Sequence, residues 1–307
     1  MSSAYHIPVL LHASIQALIT DPNGIYVDTT FGGGGHSREI LQHLGPQGKL
    51  FCFDQDPDAQ KNFHQAFSAT NATFIPQNFR FMQKFLRVQG VQKVHGILAD
   101  LGVSSHQFDE ASRGFSTRFD APLDMRMSKH TGTNAYDIIN SSSAEELQHL
   151  FGTYGEVRNA RQLAQAIISF RQLYSESGGI RTTGQLKQAA ESVAKGELPA
   201  YLAQVFQAIR IAVNDEMRAL QDMLEQSAEV LQPGGRLVVI SYHSLEDRMV
   251  KNIMKTGRTD GEIIEDIMGR KSFPFRVISR KPITPEAEEL RQNPRSRSAK
   301  LRIAEKI

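Results

Sequence analysis

The 307-residue chain holds one cysteine, Cys52, inside the apolar run Lys49-Leu-Phe-Cys-Phe53. A single thiol excludes an internal disulfide framework and a thiolate zinc site, and it points to a reducing, cytoplasmic setting. Long hydrophobic runs are also missing. None approaches the roughly 18 apolar residues of a membrane-crossing helix, and the first residues lack the basic-then-apolar pattern of an export signal. Neither export nor membrane insertion is expected. The ten histidines form no ligand-spaced set with acids, so no metal centre is expected. Internal repeats and low-complexity tracts are absent. Charge imbalance is small, with 35 Lys and Arg against 33 Asp and Glu giving +2. Its distribution is uneven: residues 270–307 hold eleven Lys or Arg against four Glu, a local +7 that leaves −5 for the rest. Such a basic segment is either a contact for a nucleic-acid backbone or a solvated surface.

With 40% hydrophobic and 22% charged residues, a chain of this length buries a large core and has room for a second, smaller one. From Pro8 onward, helical and buried-strand patterns alternate, which predicts an α/β fold with a parallel sheet. Gly24-Ile-Tyr-Val-Asp28, Lys49-Leu-Phe-Cys-Phe-Asp54 and His95-Gly-Ile-Leu-Ala-Asp100 each end in a carboxylate, at the strand edge where open parallel sheets bind ligands. After Ser105 the sequence turns polar and helix-rich. Ser143-Ala-Glu-Glu146 fits a capping box, 158–174 and 185–194 are amphipathic, and a long periodic stretch over 201–231 leads back towards the sheet. Gln232-Pro-Gly-Gly235 stops it, and Arg236-Leu-Val-Val-Ile-Ser241 resumes strand character. The helical block therefore reads as an insertion. Strand candidates at 275–280 and 299–304 flank a short helical piece at 285–292 and would complete the sheet as a hairpin-like pair.

Between the first strand and a helical pattern from Arg38 to Leu44 lies Asp28-Thr-Thr-Phe-Gly-Gly-Gly-Gly-His-Ser37. Such a turn offers bare backbone amides at a helix start, a cradle for an anionic or polar group. The dinucleotide fingerprint G-x-G-x-x-G needs a third glycine where Ser37 or Arg38 stands, which disfavours hydride chemistry. Asp54 follows Gly35 by nineteen residues, a spacing suited to accepting ribose hydroxyls. Turn and acid together describe a nucleoside site without a diphosphate, and S-adenosylmethionine fits it. Its carboxylate would meet the turn, its ammonium Asp28 and its ribose Asp54, while Phe79, after the strand candidate 72–75, could stack on adenine. The alternatives are a structural turn, a capped Asp54 and a core Phe79.

Asp100-Leu-Gly-Val-Ser-Ser105, Pro122-Leu-Asp-Met-Arg-Met127, Phe206-Gln-Ala-Ile-Arg-Ile211, Ser241-Tyr-His-Ser-Leu-Glu-Asp-Arg248 and Asn293-Pro-Arg-Ser-Arg297 complete the picture. With these motifs, from His6-Ile-Pro-Val-Leu10 to the last strand, the chain closely resembles the RsmH (MraW) family, which methylates the exocyclic amine (N4) of a cytidine in 16S ribosomal RNA near the decoding centre. The resemblance implies a class I, Rossmann-like S-adenosylmethionine-dependent methyltransferase sheet in two pieces, 1–105 and 211–307. A helical domain inserted at 106–210 would serve substrate recognition. It also implies cofactor contacts by Gly34, Gly35, His36, Asp54, Phe79, Asp100 and Gln107. Gly33 stands where some relatives have arginine, and His106 where proline is common.

The cytosine amine is a poor nucleophile because its lone pair is delocalised, so the enzyme's main task is in-line positioning plus a proton acceptor. Asp100 is the best-placed acceptor, although Asp-Leu-Gly-Val stands where many amino-methylating enzymes carry Asp/Asn-Pro-Pro-aromatic. His243, after the strand 236–241, is a second catalytic candidate beside Tyr242, which could stack on an extruded base, unless the pair belongs to a structural loop. Asp124 and Arg126 either line the substrate cleft or form an interdomain ion pair; Arg295, Arg297 and Lys300 are candidate phosphate contacts. Competing readings are a nucleotide-dependent oxidoreductase and an RNA-binding assembly factor with a vestigial pocket. The expected partner is small-subunit ribosomal RNA or the assembled small subunit. Sequence leaves open which of the two is the substrate and whether the chain pairs as a homodimer.

Overall fold

A computed structural model of the protein describes residues 8–67, 70–128, 132–263, 265 and 273–307. His6, Ile7, Arg270 and Lys271, which the sequence reading drew on, lie outside these residues. The chain divides into two compact units, one of residues 1–102 and 217–307 and one of residues 103–216. The breaks fall a few residues from those expected at 105/106 and 210/211.

In the first unit, α1 (Leu11–Leu18) precedes β1 (Ile25–Asp28), α2 (Gly35–His43), β2 (Lys49–Phe53), α3 (Pro57–Ala66), β3 (Ala72–Ile75), α4 (Met82–Val88) and β4 (Val94–Asp100). The second unit is helical: α5 (Ser105–Asp109), α6 (Ala135–Ser141), α7 (Ala144–Tyr154), α8 (Ala160–Leu173), α9 (Thr183–Glu191) and α10 (Leu198–Asn214). The chain then returns through α11 (Glu216–Val230), β5 (Leu231–Ser241), α12 (Ser244–Thr256), β6 (Phe275–Val277), α13 (Ala287–Gln292) and β7 (Lys300–Lys306). No helix among the described residues is long and apolar enough to cross a membrane.

The sheet runs β3-β2-β1-β4-β5-β7-β6. Strands β1 to β5 pair in parallel, and β7 is antiparallel to both β5 and β6. The two late strands complete the sheet as the expected antiparallel, hairpin-like pair, with β7, reached through α13, lying between β5 and β6. Strand order reverses between β1 and β4, the place where open α/β sheets leave a crevice at the carboxyl ends of their strands.

Both faces of the sheet are covered, which explains why its strands read as unbroken apolar runs. Val27, Phe51, Phe53, Ile97, Leu237 and Val239 form one core with residues of α4, α11 and α12. Their alternate neighbours Tyr26, Leu50, Cys52, Leu98, Val238 and Ile240 form another with residues of α1, α2 and α3. Residues 232–235 end the helical pattern as expected but stay in β5 as a bulge: pairing jumps from Val94↔Leu231 to Gly96↔Arg236, with Gly234 at φ +81.

The second unit has its own core, in which Phe151, Leu163, Ile167, Leu186, Val205 and Ile209 are fully buried. Ser143 and Glu146 form the capping box that the sequence announces. The periodic stretch 201–231 is two helices rather than one, because Asp215 takes a left-handed conformation at φ 50 and the Arg210–Glu216 ion pair, at 2.8 Å, closes the corner.

Candidate active site

The strand ends deliver carboxylates to one edge of the first unit. Asp28 ends β1, Asp54 follows β2 and Asp100 ends β4. Asp28 is 1% exposed and acts inside the turn: its Oδ2 accepts from Ser37 Oγ at 2.6 Å and its Oδ1 from the Thr30 N–H at 3.1 Å. Burial raises its pKa above the usual carboxylate range against the pull of those bonds and of His36. It braces the turn, which differs from the expectation of an open carboxylate facing an ammonium group.

Asp54 accepts from the Gly32 N–H at 2.8 Å through Oδ2 and from the Asp56 N–H at 2.8 Å through Oδ1. Each oxygen keeps a lone pair for a ribose hydroxyl. Burial lifts the Asp54 pKa to about 6 even though both amides pull it down. Its folded value lies above the ordinary 3.8, so its contribution to stability is present below that pH and is lost as pH rises through 6. A bound ligand that donates to the ionised carboxylate has the opposite pH dependence. Affinity for a ribose-bearing cofactor should be flat above pH 7 and weaken by up to about tenfold per pH unit below 6, as calorimetric titrations between pH 8 and 5 would read. An affinity unchanged across that range would remove Asp54 from the ribose site.

The glycine turn is shaped by packing as much as by ligand access. Gly34, at φ +74, sits at the start of α2, and a methyl group there would stand 2.7 Å from Phe31 Cζ and 2.8 Å from Phe67 Cε2. At Gly35 it would run into the Pro8 ring. The first amides of α2 have no intrahelical partners, and the glycines of the turn add no side chains of their own beside them. Residues 8–10 cross it. The Val9 carbonyl accepts from His36 Nε2 at 3.1 Å, and the Leu10 N–H donates to Glu289 of α13 at 2.7 Å. Because a carbonyl only accepts, the His36 proton at Nε2 is assigned by this contact. Nδ1 then points to Asp100 Oδ2, 3.7 Å away.

Asp100 accepts from the Tyr242 hydroxyl through Oδ1 at 2.7 Å, and its N–H donates to Thr30 Oγ1 at 2.7 Å. Burial raises its pKa, with His36 and the Tyr242 hydroxyl opposing. Phe79 opens a short 3-10 helix after β3 and is half-buried against the core; the segment is tied to the Asp54 loop by Asn78 Nδ2 donating to Gln55 Oε1 at 3.2 Å.

Other expectations are revised. His243 is a helix cap, not an open base: it precedes α12 with its side chain 8% exposed, 3.2 Å from Glu246 Oε1, and Glu246 Oε2 accepts the Tyr242 and His243 N–H groups at 2.8 and 3.3 Å. Asp124 and Arg126 pair with each other at 2.8 Å inside the second unit, so the ion pair is local rather than interdomain. Met125 between them is buried at φ 58, held by Asn214, which receives the Met127 N–H and donates to the Met125 carbonyl. Gln107 is buried in a capping box with Ser104. Lys300 stands 3.5 Å from Asp247, and Arg295, half-buried, and Arg297, exposed, lie in the 3-10 helix at 294–298. Sequence reading missed Thr30, Ser37, Val9, Glu246 and Glu289. The first two stood in the quoted turn, and their spacing to Asp28 was the available signal.

Three crowded carboxylates with raised pKa values, Asp28, Asp54 and Asp100, favour a cationic ligand, and the bare amides beside them favour a ligand that also carries an anionic end. An amino-acid sulfonium nucleoside has both. The sheet order is that of a Rossmann-like fold, and its family match makes the chain an S-adenosylmethionine-dependent methyltransferase, whose cofactor these acids and amides suit. The chain belongs to the MraW methylase family, which it matches over residues 3–307. It is 54% identical over 308 residues to ribosomal RNA small subunit methyltransferase H of Flavobacterium johnsoniae, with 99% of this chain and 98% of that protein covered. Against the protein of the same name from Bacteroides thetaiotaomicron the identity is 52% over 303 residues, covering 98% and 97%.

Proposed function

We propose that the protein transfers a methyl group from S-adenosylmethionine to the exocyclic N4 amine of a cytidine in 16S ribosomal RNA, near the decoding centre of the small subunit. The observation that carries this reading is Asp100 at the end of β4, a carboxylate of raised proton affinity beside the glycine turn in a chain half-identical to proteins named for ribosomal RNA methylation. When bound, S-adenosylmethionine supplies an activated sulfonium methyl. The amides of Gly35 and His36 would hold its carboxylate end, Gly34, whose own N–H donates to the Phe31 carbonyl at 2.7 Å, would line the turn, Asp54 would accept its ribose hydroxyls and Phe79 would flank its adenine. Asp100 first contacts the cofactor's amino-acid portion and then, through Oδ2, accepts a hydrogen bond from the cytosine amine. That bond would localise the nitrogen lone pair, and the carboxylate would take the amine proton as the new N–C bond replaces the methyl carbon–sulfur bond, whose electron pair stays on sulfur as a neutral thioether.

The helical unit, with its Met125 loop and the Asp124–Arg126 pair, recognises the substrate, and Arg295 and Arg297 add phosphate contacts. The protein works in the cytoplasm without a membrane partner. Small subunits and naked 16S RNA from cells lacking the gene, incubated with methyl-labelled cofactor, should yield N4-methylated cytidine on nucleoside analysis. Absence of label from both substrates would overturn the assignment.

A further inference from the structure

We propose that Tyr242 is a positioning residue for methyl transfer: its hydroxyl, 2.7 Å from Asp100 Oδ1, fixes the orientation of that carboxylate and aims Oδ2 at the amine. This rests on the reading of Asp100 as proton acceptor. Sequence alone offered Tyr242 as a stacking platform, yet its hydroxyl is engaged and its backbone is held in place. The Tyr242 N–H donates to Glu246, a carboxylate 3% exposed that also closes the cap of α12. Tyr242 therefore approaches Asp100 from a rigid strand-to-helix corner, which suits orientation better than adaptive contact with a base.

Groups from several elements face Asp100. His36 of α2 stands 3.7 Å from Oδ2, Thr30 receives the Asp100 N–H, and Asp28 of β1 and Glu246 of α12 act on it as like charges. Tyr242 itself faces Glu246 and Glu289 of α13, and burial pushes its own pKa well above the usual phenol range, so it remains a donor through the working pH range. A hydrogen bond to the ionised form of an acid favours that form. Removing the phenol oxygen should therefore raise the pH at which Asp100 ionises, leaving less of the proton-accepting form near neutrality.

The test is Tyr242→Phe, which keeps the ring and deletes the donor. Thermal melts should stay close to wild type and cofactor affinity within about twofold. The acid limb of the kcat–pH profile should move up by about half to one pH unit, a three- to tenfold loss of kcat on the acid side that closes at high pH. Independent of turnover, the side-chain carboxyl carbon of Asp100, identified in 13C spectra by its loss in Asp100→Asn, should titrate at higher pH in Tyr242→Phe than in wild type. An unshifted Asp100 titration overturns the inference, as does a raised KM for RNA with an unmoved acid limb, the signature of a stacking residue. Wild-type enzyme inactive on both RNA substrates would instead defeat the proposed function, and this inference with it.

Discussion

Asp100→Asn should reduce methyl transfer by about 10²- to 10⁴-fold, the range expected for removing a positioned proton acceptor, while leaving the fold nearly intact and weakening the cofactor by a smaller factor through the lost carboxylate contact. Asparagine keeps an oxygen that can receive the Tyr242 hydroxyl, and the Asp100 N–H to Thr30 Oγ1 belongs to the backbone, so the strand end keeps its two anchors. The lost property is the ability to take a proton. The deficit should appear in kcat, measured in single-turnover label transfer to small subunits, with KM for RNA little changed. A variant that retains more than about a tenth of wild-type kcat would move the proton to another acceptor. Nearby acids are poorly suited to that role: Asp28 is bonded inside the turn, and Glu246 is buried at the cap of α12.

Gly34→Ala should destabilise the protein by about 2–4 kcal/mol. Roughly 1 kcal/mol comes from placing a Cβ at φ +74, and about 1–3 kcal/mol from overpacking. The overpacking has a specific source. Phe31 and Phe67 are each 3% exposed and meet edge-on at 5.2 Å, with Phe63 and Phe74 closing around Phe31 at 5.4 and 5.6 Å, so neither ring has room to retreat from the new methyl. A lower thermal midpoint, by about 5–10 °C, and a loss of cofactor affinity should appear together, because the same backbone shapes the turn. Gly35→Ala is the informative control. There the obstacle is the Pro8 ring on the segment crossing the turn, so relief comes by lifting residues 8–10, at the cost of the Val9–His36 bond and with a smaller effect on the midpoint. A Gly34→Ala protein that melts like wild type would show that the aromatic cluster is looser than its geometry.

Much of the fold was legible because it is written in short-range patterns. The buried strands at 25–28, 49–53, 94–100 and 236–241 are apolar runs because helices cover both faces of the sheet. Their carboxylates lie at the ligand edge because each follows directly on its strand, and the glycine run announces a turn because few other residues tolerate a positive φ. The break between the two units was visible as a change from apolar runs to polar helical periodicity. The capping box at Ser143 was legible for the same reason, since its partner lies three residues away.

What tertiary structure alone decided is which of these local pieces meet. The donor to Asp100 lies 142 residues away in the chain, and the acceptor of the Leu10 N–H lies 279 away, separations at which spacing carries no information. His243 looked like a free base at a strand end although Glu246 stands at the same three-residue spacing as the box at Ser143, because histidine is not among the usual capping residues and the signal, though local, does not announce a cap. Sheet order is the same kind of fact: β7, last in the chain, lies between β5 and β6, an order that local sequence patterns do not encode. The sequence by itself determined the elements, the turn and the acids that end the strands, since each depends on neighbours a few residues apart. The fold decided that Asp28 accepts from Ser37 and Thr30 inside the turn, Asp54 from the Gly32 and Asp56 amides and Asp100 from the Tyr242 hydroxyl, because burial and hydrogen-bond partners, rather than spacing, distinguish three carboxylates of the same local kind.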